Sequence, residues 1–475
     1  MPTNDLPLWT RRLVLKRAAQ LSALGVAGPL AINLAAIGEA SAFDASDYKA
    51  LVCVFLYGGN DYANTLVPYD AANYDLYSAI RGGGAGRTRG GIAFGLDELN
   101  ATALAPIGGQ TLTDNLQYAL APSLTGLKPL FDAGKLAVQL NVGPLIVPLT
   151  LAQYESPNRS LYPLPPKLFS HNDQQSAWQS LGSEGSTVGW GGRLGDIALS
   201  NNGNALLTCI SAAGNAVFVA GSNALQYQIS AAGAIKVNAL QSSPYGLDSV
   251  RDAMAALITQ SSAHALEEEY AVVTRRSIQL EGAVNSALGG VTLNTAFPPA
   301  DPPNPLAAQM KIVARLIGAR NAFGVTRQVF FVSLGGFDNH DGLMKNHPAL
   351  LSRVNDALSS FYQATVELGV ANSVTTFTAS DFGRTLSSNA DGSDHGWGGH
   401  HLVIGGAVNG ARFYGTAPHV SVNSDDQVGQ GRLLPSTAVD QFAATLARWF
   451  GVSAGELPGI LPNIGNFSTT GPGFV

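Results

Sequence analysis

The sequence predicts an α/β protein whose parallel strands are joined by helical crossovers, and three observations carry that expectation. Gln328–Leu334 is β-branched and aromatic, and it stops at Gly335-Gly336, followed at once by Phe337-Asp338-Asn339-His340. The pattern returns at Ser373–Ala379, which runs into Ser380-Asp381-Phe382-Gly383-Arg384, with Asp394-His395-Gly396 beyond it. Ala50–Tyr57 is a continuous apolar run of the kind buried on both faces of a sheet, and it ends in Gly58-Gly59-Asn60-Asp61. Glycines let the backbone turn sharply where a strand ends, and the carboxyl ends of strands are where open α/β sheets build their sites. Between Gln328–Leu334 and Ser373–Ala379, Leu350, Val354, Leu358 and Phe361 recur at three and four, the apolar face of a helix crossing between parallel neighbours.

At the start of the chain, Thr10-Arg11-Arg12-Leu13-Val14-Leu15-Lys16 precedes a mildly apolar run, Leu21–Gly38, and then Ala40-Ser41-Ala42. This is the pattern of a twin-arginine signal with a small-residue cleavage site, and cleavage is expected after Ala42. The alternatives are an amphipathic helix and an uncleaved anchor, because Leu21–Gly38 is marginal in length for a span. The expected organisation is a signal peptide, residues 1–42, and a single domain, residues 43–475, with no stable membrane span after cleavage and a periplasmic or secreted destination. The expected partners are the twin-arginine export machinery and an anionic ester substrate. Loss of Arg11, Arg12, Lys16 and Arg17 against Asp5 and Glu39 makes the remainder more acidic than the whole chain's −6, which argues against nucleic acid as a partner. The two cysteines, Cys53 and Cys209, both lie in apolar runs and read as buried free thiols, with a disulfide as the alternative.

Taken in order, residues 70–115 are rich in Gly and Asn, with an irregular excursion around Arg81–Gly91. Leu124–Ala133 reads as a helix and Lys135–Asn141 as another buried strand. Gln153–Lys167 reads as a long loop that delivers Ser170 to the start of a helix at His171. Residues 205–235 read as short strands, Ser249–Leu288 as a long helical stretch and Pro305–Asn321 as a further helix. The proline-rich Pro298–Pro305 between these two is a loop within a domain rather than a boundary. Pro435–Phe450 closes the chain as a helix, with loop beyond it.

Six of the eight histidines, His340, His347, His395, His400, His401 and His419, lie between positions 340 and 419, and the first three sit close to aspartates. Aspartate with histidine suits Zn, Mn or Fe rather than Ca, whose ligands are oxygens only. Arg384 follows Asp381 by three residues and could hold an anion through its planar fork. Each residue also has a plainer reading. Asp338 serves as a turn cap, Ser170 as a helix cap, His347 as part of a helix start, and His400, His401 and His419 as structural residues.

Tyr57-Gly-Gly-Asn-Asp61, Ser170-His171 with Trp178, Gly335-Gly-Phe-Asp-Asn-His340, Ser380-Asp-Phe-Gly-Arg-Thr385, Asp394-His-Gly396 and the closing Leu446–Phe450 resemble an exported bacterial family, domain of unknown function 1501. The resemblance covers nearly the whole mature chain, in order. That family is in turn similar to the alkaline phosphatase and sulfatase superfamily, whose fold is a mixed, largely parallel sheet sandwiched by helices. By position, the resemblance implies Asp61 as a metal ligand from the first strand, Ser170 as the nucleophile, Asp338 and His340 as ligands of one ion, and Asp381 with His395 completing a second. It implies one or two divalent ions, Zn, Mn or similar. Phe382 stands where the superfamily carries a histidine after its aspartate, and Asp338 and His340 are closer in sequence than their counterparts. The implied function is an exported metal-dependent hydrolase of phosphate or sulfate esters, with Ser170 or an activated water attacking. The alternative is a non-catalytic periplasmic or surface binding protein on the same fold.

Overall fold

The computed structural model describes residues 43–475 apart from 85–89, 235–239, 241–245, 299–302 and 468–470. The twin-arginine motif and the cleavage point after Ala42 lie outside the described residues, as does part of the proline-rich segment. The strands are β1 (Lys49–Tyr57), β2 (Leu66–Pro68), β3 (Tyr118–Leu120), β4 (Leu136–Gly143), β5 (Cys209–Ser211), β6 (Tyr227–Ser230), β7 (Gly233–Ala234), β8 (Arg327–Gly335), β9 (Val374–Ser380), β10 (Gly399–Gly405), β11 (Phe413–Tyr414) and β12 (Thr437–Ala438). The helices that frame them are α1 (Ala71–Ile80), α2 (His171–Ser180), α3 (Trp190–Ala198), α4 (Asp248–Ile258), α5 (Ala265–Gly289), α6 (Pro305–Gly318), α7 (Leu343–Glu367) and α8 (Val439–Phe450).

Ten strands form one sheet in the order β11-β4-β10-β9-β1-β8-β5-β6-β7, with β12 beside β4, while β2 and β3 pair separately. β1 runs parallel to both β8 and β9, and β10 is antiparallel to β9 and β4, so the sheet is mixed and largely parallel, as expected. Alternate residues of β1 enter opposite layers. Ala50, Val52, Val54 and Leu56 pack with Val313 and Ile317 of α6 and with Val354, Leu358 and Phe361 of α7. Leu51, Cys53 and Phe55 pack with Trp190 and Leu194 of α3 and with Phe442, Leu446 and Phe450 of α8. Covering on both faces is the physical reason this strand carries no alternation of polar residues. Cys53 and Cys209 are buried free thiols, and burial pushes both well above the usual thiol range.

The register of the three central strands positions the site. Tyr57 is paired with Gly335 and Leu56 with Ser380, so the segments after β1, β8 and β9 leave the same edge of the sheet side by side. They are pressed together closely enough to require glycine. Gly58 has φ +114°, and a Cβ there would fall 2.4 Å from the Asp338 nitrogen; Gly59 has φ +83°, and its Cβ would fall 2.4 Å from the Phe382 ring.

Several elements differ from expectation. α1 arises inside residues 70–115, a stretch read as rich in Gly and Asn and given no helix. Asp70 caps it by accepting from the Asn73 N–H, and Tyr74 and Tyr77 are fully buried. Burial of two tyrosines stabilises this helix where intrinsic propensity offers little. The helix expected over Leu124–Ala133 shrinks to Lys128–Asp132, with Pro129 in its first turn. The long helical stretch divides into α4 and α5. Among the described residues no helix is long and apolar enough to cross a membrane.

Asp440 in the first turn of α8 is buried, and burial pushes its carboxyl up to about 6 against the hydrogen bonds from Asn463. A folded-state value above the ordinary 3.8 means that this group's contribution to stability is present below that pH and is lost as the pH rises through about 6. We expect the Asp440→Asn variant to lack this step, so that the variant-minus-wild-type difference in urea unfolding free energy grows by on the order of 3 kcal/mol between pH 4 and pH 7. A difference that stays flat with pH would show that Asp440 ionises normally.

Candidate metal centre

α2 begins beside the crowded edge of the sheet and turns two side chains of one face, His171 and Gln175, toward Asp381 at the end of β9. His171 Nδ1 lies 2.7 Å from Asp381 Oδ2, and Gln175 Nε2 donates to the same oxygen at 2.8 Å. His340 and His395, carried by the segments after β8 and β9, are tethered the same way. His340 Nδ1 is 3.1 Å from Asp394 Oδ1, and His395 Nδ1 is 2.7 Å from the carbonyl oxygen of Phe169. Carboxylate and carbonyl oxygens only accept, so each of these three Nδ1 atoms carries a proton, and in the neutral imidazole each Nε2 is left with a lone pair.

Those three Nε2 atoms converge on Asp338. Its Oδ1 is 3.0 Å from His340 Nε2 and 3.2 Å from His395 Nε2, and its Oδ2 is 3.4 Å from His171 Nε2. His340 Nε2 and His395 Nε2 stand 2.9 Å apart. The ligand atoms of His171, Asp338 and His395 all lie within 4.8 Å of one another, and His340 reaches two of that trio. Lone pairs directed at one another at such distances repel unless a cation lies among them. Metal-binding histidines usually donate the proton of the ring nitrogen turned away from the metal to a carboxylate or carbonyl, as these three do through Nδ1. The donor set, three imidazoles and a carboxylate, fits Zn and its neighbours and does not fit Ca.

Asp338 is favoured as the carboxylate. Burial would push the Asp338 carboxyl up, but Arg384, His340 and His171 outweigh it and hold the group below the usual range. The hydrogen bond to Asp381, stronger than the opposing effect of burial, pushes His171 up, whereas burial pushes His395 down. Asp381 is fully buried, and its Oδ1 has no hydrogen-bond partner among the described residues.

The structure therefore brings Asp338, His340 and His395 together as ligand candidates and adds His171, which the sequence reading had noted only as the neighbour of Ser170. Asp381 stands one step back, orienting His171. Asp61 is set behind the centre. Its Oδ2 is 2.6 Å from Arg81 Nη2 and accepts from Ser393 Oγ at 2.7 Å, and its Oδ1 accepts from the Asn64 N–H at 2.9 Å, so both oxygens are already committed. Arg384, expected to meet an anion, is fully buried. It donates to Asp338 Oδ1 at 2.7 Å, to the Gly58 carbonyl at 3.0 Å and to Ser393, which leaves it holding a ligand. The Phe382 ring packs against His171 and His395, with centroids at 5.0 and 4.6 Å.

Ser170 sits at the head of α2, between the carbonyl that tethers His395 and the ring of His171. Its hydroxyl makes no capping bond to the helix backbone and donates instead to Asp173 Oδ2 at 2.8 Å. Phe169 holds its carbonyl toward His395 with φ +72°, a left-handed conformation uncommon for a bulky residue. The remaining clustered histidines are structural. His347 is buried against Asn60 and pushed down to about 4 by burial, and burial likewise pushes His400 and His401 in β10 to about 3. His419 pairs with Asp114 at the surface.

Residues 48–457 match a family described as "Protein of unknown function (DUF1501)". No curated protein matches the sequence. Among solved structures, the chain is similar over 88% of its length to Ps i-CgsB in complex with k-i-k-neocarrahexaose, covering 77% of that chain at 10% identity and a TM-score of 0.35. It is similar over 87% of its length to the lipoteichoic acid synthase LtaP from Listeria monocytogenes, covering 74% of that chain at 9% identity and a TM-score of 0.32. At these TM-scores neither likeness carries an argument about the chemistry of this chain.

Proposed function

The chain belongs to the DUF1501 family, and from its convergent histidines we propose that it is an exported hydrolase of phosphate or sulfate esters that depends on one divalent ion, Zn, Mn or similar. The single observation that carries the metal is the locking of three Nδ1 atoms outward, which turns three Nε2 atoms toward Asp338. His171, Asp338, His340 and His395 would hold the ion, and Asp381, Asp394 and Phe169 would orient the rings. When bound, it would supply Lewis-acid stabilisation of charge on an ester oxygen. Phe382, packed into the space beside His171, favours one ion over two.

Ser170 is the proposed nucleophile. Its Oγ would bond to phosphorus or sulfur while its proton passes to Asp173, which already accepts its hydrogen bond, and the ester oxygen would leave and take a proton from solvent. Water would then cleave the serine ester and return the hydroxyl. Export by the twin-arginine route, cleavage after Ala42, a single domain over residues 43–475 and a periplasmic or secreted location belong to the same proposal. They are supported by the residue pattern at Arg11-Arg12 and Ala40–Ala42.

The test is elemental analysis of the purified protein followed by a panel of aryl phosphates and aryl sulfates. About one equivalent of transition metal and turnover of one ester class are expected. Ser170→Ala should retain the metal and lose turnover, and because its hydroxyl makes no capping bond it should cost little stability. Full activity in Ser170→Ala would reject the serine route and favour direct attack by water. A wild-type protein that holds metal but turns over no ester would favour the non-catalytic binding protein, and one that holds no metal would reject the proposed centre.

A further inference from the structure

The group that the mechanism does not use is the buried cluster behind the ligands, and it is connected to them without a gap. Asp61 Oδ2 accepts from Ser393 Oγ at 2.7 Å, Ser393 Oγ accepts from Arg384 Nε at 3.3 Å, and Arg384 Nη1 donates to Asp338 Oδ1 at 2.7 Å. Ser393 is the hub. Its N–H donates to the carbonyl of Asn339, the residue between Asp338 and His340, at 3.1 Å. Its own carbonyl accepts from Arg384 Nε and Nη2, and the next two residues in the chain are Asp394, which orients His340, and His395. All three members behind Asp338 are shielded from water, with Ser393 and Arg384 fully buried and Asp61 1% exposed.

We infer that Asp61 and Ser393 are positioning residues of the metal centre: their hydrogen-bonded brace fixes the guanidinium of Arg384, and through it the ligand oxygen of Asp338. A guanidinium is rigid and planar, so anchoring its Nε edge sets the direction of the Nη1–H that meets Asp338. Without the hydroxyl of Ser393, Arg384 keeps the Ser393 carbonyl but loses its link to Asp61, and it can swing out of line with the carboxylate. Outer-shell partners of this kind typically change metal affinity by about 10–100-fold. This role rests on the ion being held by His171, Asp338, His340 and His395.

The experiment measures zinc dissociation constants by chelator competition, and the absorption bands of the cobalt-substituted protein, for wild type, Ser393→Ala and Asp61→Asn. Leu280→Ala, in the buried face of α5, serves as a distant destabilised control. Ser393→Ala is expected to weaken zinc about 10-fold and to shift the cobalt bands, while Leu280→Ala lowers the melting temperature and leaves both unchanged. Should Ser393→Ala fail to fold, Asp61→Asn, which removes the charge that strengthens the hydrogen bond from the Ser393 hydroxyl, is expected to weaken zinc in the same direction, by more than twofold. Zinc affinity within twofold of wild type in the folded variants, whatever their melting temperature, overturns the brace. A wild-type protein that binds neither zinc nor cobalt rejects the centre itself, which is a different result.

Discussion

Replacing His171 by alanine is expected to lower affinity for zinc by more than the roughly 10–100-fold lost with an outer-shell partner, and to reduce any ester hydrolysis at least as much. His171 is the one ligand candidate contributed by α2, and its Nε2 faces Asp338 Oδ2, whereas His340 and His395 share Oδ1. Its loss removes an imidazole and also strips Asp381 of a partner. That buried carboxylate already has one oxygen without a hydrogen bond, and it would be left with Gln175 alone. His347→Ala provides the contrast, because that ring meets Asn60 rather than the ligand set and its removal should leave zinc affinity unchanged. Metal content and chelator competition on the two variants decide the matter. Wild-type zinc retention in His171→Ala would remove α2 from the centre.

The largest effect on stability is expected at Arg81. Its guanidinium is fully buried and lies 2.6 Å from Asp61 Oδ2, so Arg81→Ala leaves a buried carboxylate without its cation and should cost about 3–5 kcal/mol in urea unfolding. The exposed Lys128–Asp132 pair on a short helix is the control, and Lys128→Ala should cost less than about 1 kcal/mol. The pH dependence has a definite sign. Burial would raise the Asp61 carboxyl, but Arg81, then His347 and Ser393, outweigh it and hold it below the ordinary 3.8. Its contribution is therefore full above that pH and is lost as the pH falls through the lower folded value. The gap between wild type and Arg81→Ala should narrow under those acid conditions, because protonation removes the charge that the variant leaves unpaired. An equal gap at pH 7 and pH 3 would show that lost packing of the Arg81 side chain, rather than charge, is responsible.

Several parts of the site were legible as local pattern. The apolar runs of β1, β8 and β9, each ending at glycine or directly at aspartate, identify strands whose ends carry chemistry. The glycines themselves follow from a close approach, since Gly58 touches the Asp338 backbone and Gly59 the Phe382 ring. Asp338, His340 and His395 were marked by that pattern and by the crowding of histidines near it. The same crowding took in His347, His400 and His401, whose plainer readings as helix-start and structural residues agree with the structure. These three are buried in core positions with burial-depressed basicity, which a count of histidines cannot separate from ligation.

What the sequence determined by itself is what depends on neighbours along the chain: strand and helix periodicity, the turns at glycine, and the segments that carry the ligand candidates. Only the tertiary structure decided which polar groups face one another. His171 becomes a ligand candidate because Asp381, far along the chain on β9, accepts its Nδ1 proton and turns its Nε2 inward. Asp61 and Arg384 have their hydrogen bonds taken up by Arg81, which follows a helix in a Gly- and Asn-rich stretch, and by Ser393. Burial is the physical reason. Once water is excluded, an unmatched donor or acceptor is costly, so most are matched by another part of the protein, and that matching is fixed by where the folded elements meet, not by their order in the chain.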